Sequence, residues 1–219
     1  MEKGKKLSNN FTNGYLATPQ ESNGEKILVL HAWWGLNKTI KDYCDRFGDE
    51  GFVAFAPDLY HGKLTDEIEQ AEVFSNELSL DRARLDLEEA LKFIQNQPPE
   101  KVDKVALIGF SLGAYLALDA SALFPEIIDK VVIVYGDGPD DYGNAKASYL
   151  VHFAENDPYE PESNREELEN AFKKSKRPYT FYTYANTGHW FCEPDRTDAY
   201  NEEAAKLVWE RTLSFLAQP

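Results

Sequence analysis

Short apolar runs containing β-branched residues recur at 27–31, 53–56, 105–109, 131–135, 150–153 and 180–184, each of strand length and bounded by polar or turn-forming residues. Between them, at 38–50, 68–78, 81–96, 112–123, 162–174 and 198–216, apolar residues return at three- and four-residue intervals, the spacing of a helix with one buried stripe. This alternation predicts βαβ units around a mostly parallel, twisted sheet with helices on both faces. The stretch 11–17 adds an expected antiparallel edge strand. Asp81 reads as a helix cap, Pro161 as the residue of a first helical turn, and Pro98-Pro99 as the stop after the helix at 81–96. No repeat, low-complexity tract or linker interrupts the pattern, so one domain over 1–219 is expected. The most irregular stretch, 136–146, is rich in Gly, Asp and Asn and too short to build a lid domain.

Composition narrows the classes of function. With 42% hydrophobic and 28% charged residues the chain is apolar enough to fold and too apolar for intrinsic disorder. A formal charge of −15 makes the phosphate-neutralising contribution to nucleic-acid binding repulsive, and the same holds for an anionic membrane surface, so neither is an expected partner. The lysines near the N-terminus precede no apolar run, and nowhere do about 18 uncharged apolar residues follow one another. No export signal or anchor is expected. Cys44 and Cys192 stand in neither disulfide-framework nor metal-site spacing, which favours a reducing cytoplasm and no bound metal. A monomer or small homo-oligomer acting on a small molecule is the expected state.

The chemistry concentrates at Gly109-Phe110-Ser111-Leu112-Gly113, a G-x-S-x-G motif set between an apolar strand and a helical run. A sharp strand-to-helix turn holds such a serine in a strained conformation, and only glycines let the flanking backbones approach closely enough. The following helix turns its free N–H groups toward the site, where an oxyanion would develop. A serine hydroxyl needs a histidine to take its proton and an acid to orient that histidine. Of four histidines, His189, in the turn-rich Asn-Thr-Gly-His-Trp-Phe after the last strand, is best placed. His31 ends an early strand, His61 sits in a loop and His152 lies within an apolar strand. Asp157 follows the strand after the nucleophile's helix and fits the chain order Ser, acid, His, with Glu155 as its competitor. Trp33, in the loop after the first parallel strand, is the expected second backbone oxyanion donor beside Leu112. Trp34, Tyr60 and Trp190 are expected to border the substrate.

These segments resemble the dienelactone hydrolase family of the α/β-hydrolase fold over nearly the whole chain. The likeness rests on His-Ala-Trp-Trp-Gly-Leu-Asn at 31–37, Phe-Ala-Pro-Asp-Leu-Tyr-His-Gly at 55–62, the elbow at 109–113, Glu-Asn-Asp-Pro at 155–158, Gly-His-Trp-Phe at 188–191 and a C-terminal segment from Arg196 to Trp209. The resemblance implies a lidless α/β hydrolase that cleaves small esters or lactones without a cofactor, with a triad falling on Ser111, Asp157 and His189. Two departures stand out. The founding members carry a cysteine nucleophile, where this chain has Ser111, and a glutamate at the position of Ala32. The arginines that grip the dienelactone carboxylate in those enzymes have no secure match. Glu193 stands where one is expected, and Arg196 is the candidate substitute. A thioesterase or amidase on the same triad and a non-catalytic binding module are the competing readings.

Overall fold

The computed structural model describes residues 5–7 and 13–218, with eight strands and six helices among them. The chain divides into two units at Ile108/Gly109, a boundary that falls inside one strand, Val105–Phe110 (β5).

The N-terminal unit contains Lys5–Leu7 (β1), Gly14–Ala17 (β2), Lys26–Leu30 (β3), Lys38–Asp49 (α1), Val53–Pro57 (β4), Ile68–Glu77 (α2) and Leu80–Gln95 (α3). Its strands run in the order β1-β2-β4-β3-β5. β3 and β4 pair in parallel and are buried at every position, which is why they read as continuous rather than alternating apolar runs. The expected antiparallel strand forms over Gly14–Ala17 against β4, but it is not the edge, because β1 pairs along its other side. The three residues of β1 are too few for a recognisable periodicity; residues 11 and 12 of the expected strand lie outside the described residues.

Helix starts follow side-chain caps. Asn37 Oδ1 accepts from Ile40 N at 3.1 Å and opens α1. α3 is capped by Ser79, whose hydroxyl accepts from Arg82 N at 3.4 Å, and not by Asp81, which sits inside the first turn. At the other end of α3 the buried Lys26 ammonium donates to the carbonyls of Gln95, Gln97 and Glu100 and so closes the helix terminus beside Pro98-Pro99. His31, fully buried after β3, donates from Nδ1 to Ala32 O at 2.7 Å and accepts at Nε2 from Leu59 N at 3.2 Å. It ties the Trp33-Trp34 loop to the segment after β4, and burial holds its pKa below the ordinary histidine value.

The C-terminal unit contains Leu112–Leu123 (α4), Ile128–Val134 (β6), Ser148–Ala154 (β7), Glu162–Ser175 (α5), Tyr179–Tyr184 (β8) and Glu202–Leu216 (α6). β6, β7 and β8 pair in parallel in that order. The last helix starts at Glu202 and not at 198, because Arg196 O accepts from Ala199 N and Tyr200 N in a tight turn before Asn201 Oδ1 caps Ala204 N at 3.0 Å. His152 on β7 is a core residue: its Nδ1 meets Tyr184 Oη at 2.8 Å, and burial pushes its pKa down to about 3. Residues 135–147 carry no helix or strand. Among the described residues no helix is long and apolar enough to cross a membrane.

Candidate active site

The chain leaves β5, turns at Ser111 and enters α4. Ser111 holds φ 51°, ψ −115°, a left-handed conformation that costs on the order of 1–3 kcal/mol for a non-glycine residue. It is pinned there: its N–H donates to Val134 O at 3.0 Å and its carbonyl accepts from Ala114 N at 2.8 Å. Gly109 is required beside it, since a Cβ at that position would stand 2.1 Å from the Gly113 carbonyl oxygen. α4 begins at Leu112, and its positive dipole end faces the turn at Ser111.

His189 Nε2 lies 2.8 Å from Ser111 Oγ, and its Nδ1 lies 2.7 Å from Asp157 Oδ2. The side chains of His189 and Asp157 are nearly fully buried, which strengthens the pair by excluding water. With Nδ1–H donating to Asp157 Oδ2, Nε2 is left as the acceptor for the serine hydroxyl. The second carboxylate oxygen, Oδ1, accepts from Tyr159 N at 2.9 Å and Glu160 N at 3.1 Å, so one aspartate both shapes the turn after β7 and orients the imidazole. Glu155, the competing acid, is turned away and accepts from Asn186 N at 2.8 Å. That contact, with Asn156 N donating to Thr187 O, joins the loops that carry Asp157 and His189.

Three aromatic rings touch the imidazole: Tyr135 at 4.8 Å, Tyr159 at 5.0 Å and Trp190 at 5.1 Å between centroids. Tyr135 and Trp190 also hold positive φ, 41° and 65°, so with Ser111 three strained residues gather around His189. Neither Tyr135 nor Tyr159 is marked in the sequence as a neighbour of His189; of the three rings only Trp190 was singled out there. Tyr135 Oη donates to Glu193 Oε1 at 2.8 Å, and Glu193 is fully buried with Oε2 lacking a hydrogen-bond partner. Burial raises the Glu193 pKa to about 8. A second acidic group lies behind Asp157, where Asn164 Nδ2 donates to Asp137 Oδ2 at 3.0 Å and to Glu160 Oε2 at 2.9 Å. Burial first, then the Asp137 charge, lifts Glu160 to about 8.

Arg196 packs its guanidinium over Trp190 at 5.1 Å and lies 3.7 Å from Asp198. Cys192 is buried. In the N-terminal unit Trp33 and Trp34 pack edge to face at 5.5 Å, and Trp34 and Tyr60 are nearly covered. Among the described residues no group of three His, Cys, Asp or Glu side chains is arranged to hold a metal ion.

A strained serine between strand and helix, hydrogen-bonded to a histidine that an aspartate orients, defines the α/β-hydrolase class. The Dienelactone hydrolase family model matches residues 12–219, and the chain belongs to that family: it is a carboxylic ester hydrolase acting on esters or lactones. It is 32% identical over 218 residues to Protein usf of Aquifex pyrophilus, covering 94% of this chain and 92% of that protein. A protein of Aquifex aeolicus provisionally named carboxymethylenebutenolidase is 30% identical over 211 residues, covering 92% of this chain and 91% of its own. In fold the chain is similar to a crystal structure from Klebsiella pneumoniae, provisionally described as a dienelactone hydrolase, with a TM-score of 0.85, 21% identity and coverage of 99% and 98%.

Proposed function

We propose that the chain, acting as one domain, is a serine hydrolase that cleaves small carboxylic esters or lactones through an acyl-enzyme on Ser111. The observation that carries the reading is the unbroken line from Ser111 Oγ through His189 to Asp157, anchored at a serine held in a left-handed turn. His189 takes the serine proton as Oγ bonds to the carbonyl carbon, and Asp157 stabilises the imidazolium. The oxyanion is received by the Leu112 N–H and, in this reading, the Trp33 N–H. Collapse returns the proton from His189 to the leaving oxygen. Water, activated by the same histidine, then releases the acid and restores Ser111.

Trp34, Tyr60, Trp190 and Arg196 border the substrate in this reading. Without lid helices in 135–147 the site suits short acyl groups, so acetyl and butyryl esters are preferred to acyl chains beyond about eight carbons. Arg196 is already engaged by Trp190 and Asp198, with Glu193 and Asp195 beside it. A carboxylated dienelactone is therefore a poor substrate. The enzyme works in the cytoplasm, as a monomer or small homo-oligomer, without cofactor, nucleic acid or membrane.

Fluorophosphonate labelling tests the nucleophile directly: the tag should map to the Ser111 peptide, and Ser111→Ala should lose on the order of 10⁴-fold or more in kcat on a small activated ester. Labelling elsewhere, or retention of more than about a tenth of the activity, moves the nucleophile to another residue.

A further inference from the structure

We infer that Tyr159 sets leaving-group specificity, presenting its ring to esters whose leaving alcohol is planar and aromatic; the inference rests on the triad reading above. The direction of proton transfer places the leaving group. A histidine that must protonate the leaving oxygen has that oxygen within hydrogen-bond reach of Nε2, so the group bonded to it lies along the histidine's flank. Three rings pack against the imidazole, but they differ in what they can still touch. Tyr135 is fully buried and Trp190 is 6% exposed, whereas Tyr159 is 43% exposed. Tyr159 packs at 5.0 Å against His189 and at 5.1 Å against Trp190, so two neighbouring rings hold it in place. Its backbone is fixed as well, since its N–H donates to the Oδ1 of Asp157 at 2.9 Å, in the same turn that positions the acid. An exposed aromatic ring fixed beside the proton donor is a preorganised surface for another ring, and such a surface favours planar groups over bulky aliphatic ones of equal acidity.

Phenyl acetate and hexafluoroisopropyl acetate share an acyl group and have leaving alcohols of similar acidity, but only the first carries a ring. The measurement is kcat/KM for both on wild type, Tyr159→Ala and Tyr159→Phe. Tyr159→Ala should lower the phenyl ester by about 2- to 12-fold, the range of one aromatic pair, while leaving the fluoroalkyl ester within about 2-fold. Tyr159→Phe should keep the wild-type ratio. Equal losses on both esters, or a ratio for Tyr159→Phe that falls to that of Tyr159→Ala, would overturn the inference, since the ring would then confer no selectivity. A wild-type enzyme inactive on both esters would instead sink the triad reading, so the two failures are distinct.

Discussion

Asp157 and Glu155 stand two residues apart after the same strand, yet the structure gives them different work. Asp157 is buried, accepts two backbone N–H groups with one oxygen and meets His189 with the other. Glu155 is exposed and spends its carboxylate on Asn186 N. An amide at 157 would leave the turn's acceptor but offer the imidazole a mismatched partner, so Asp157→Asn should lower kcat by about 10⁴-fold while Glu155→Gln stays within a few-fold. Steady-state rates on one activated ester decide it, and the reverse ranking would make Glu155 the orienting acid. Cys192 provides a contrast in reactivity: buried outside the elbow, it has no oxyanion donors of its own, and Cys192→Ala should keep most activity. The three hydrogen-bonded residues of the proposed triad were legible in the sequence because each falls on a motif or at a strand end. Tyr135, Tyr159, Asn164 and the bond from Tyr135 to Glu193 were not, because what makes them matter is a ring contact or a shared hydrogen bond between segments distant in the chain.

Elements were legible to within a residue or two where burial sets the period, as in β4, β5 and α4. Boundaries set by a single side-chain hydrogen bond were not. Pattern alone favours Asp81 as the start of α3, since an acid before an apolar stripe suits the helix dipole, but Ser79 has the extended backbone and the hydroxyl that reaches Arg82 N. The two assignments differ in energy. Ser79→Ala should cost about 0.5–1 kcal/mol in a urea unfolding series, and Asp81→Ala only a few tenths, because its carboxylate is exposed and merely adds to the dipole. A larger loss at Asp81 would return the cap to it. The start of α6 follows the same logic: 198–200 have helical spacing, yet the Arg196 turn occupies them and Asn201 supplies the cap.

At the scale of the whole molecule, buried titratable groups shape stability against pH from two sides. His152 and His31 are held neutral by burial, with pKa pushed below the ordinary 6.5, so unfolding binds protons and stability is lost as pH falls below that value. Glu193 and Glu160 are the opposite case: buried carboxyls with pKa near 8 against an ordinary 4.5, while Asp137 is also raised. Between about 4.5 and 8 the folded chain holds protons that the unfolded chain releases, so each of these carboxyls lowers stability as pH rises, by at most about 1.4 kcal/mol per pH unit. From about 4.5 to 6.5 the histidine and carboxyl effects oppose one another; above 6.5 only the carboxyl effect remains. A formal charge of −15 adds self-repulsion of the same sign. Stability should therefore form a plateau near pH 5–6.5 and decline toward pH 8. Glu193→Gln isolates one of these contributors, because the amide oxygen can still accept from Tyr135 Oη but cannot ionise. In urea titrations at pH 5, 6.5 and 8 the variant should lose less stability than wild type between 6.5 and 8, and wild-type stability that keeps rising to pH 8 would show that Glu193 and Glu160 are ionised in the folded chain at neutral pH.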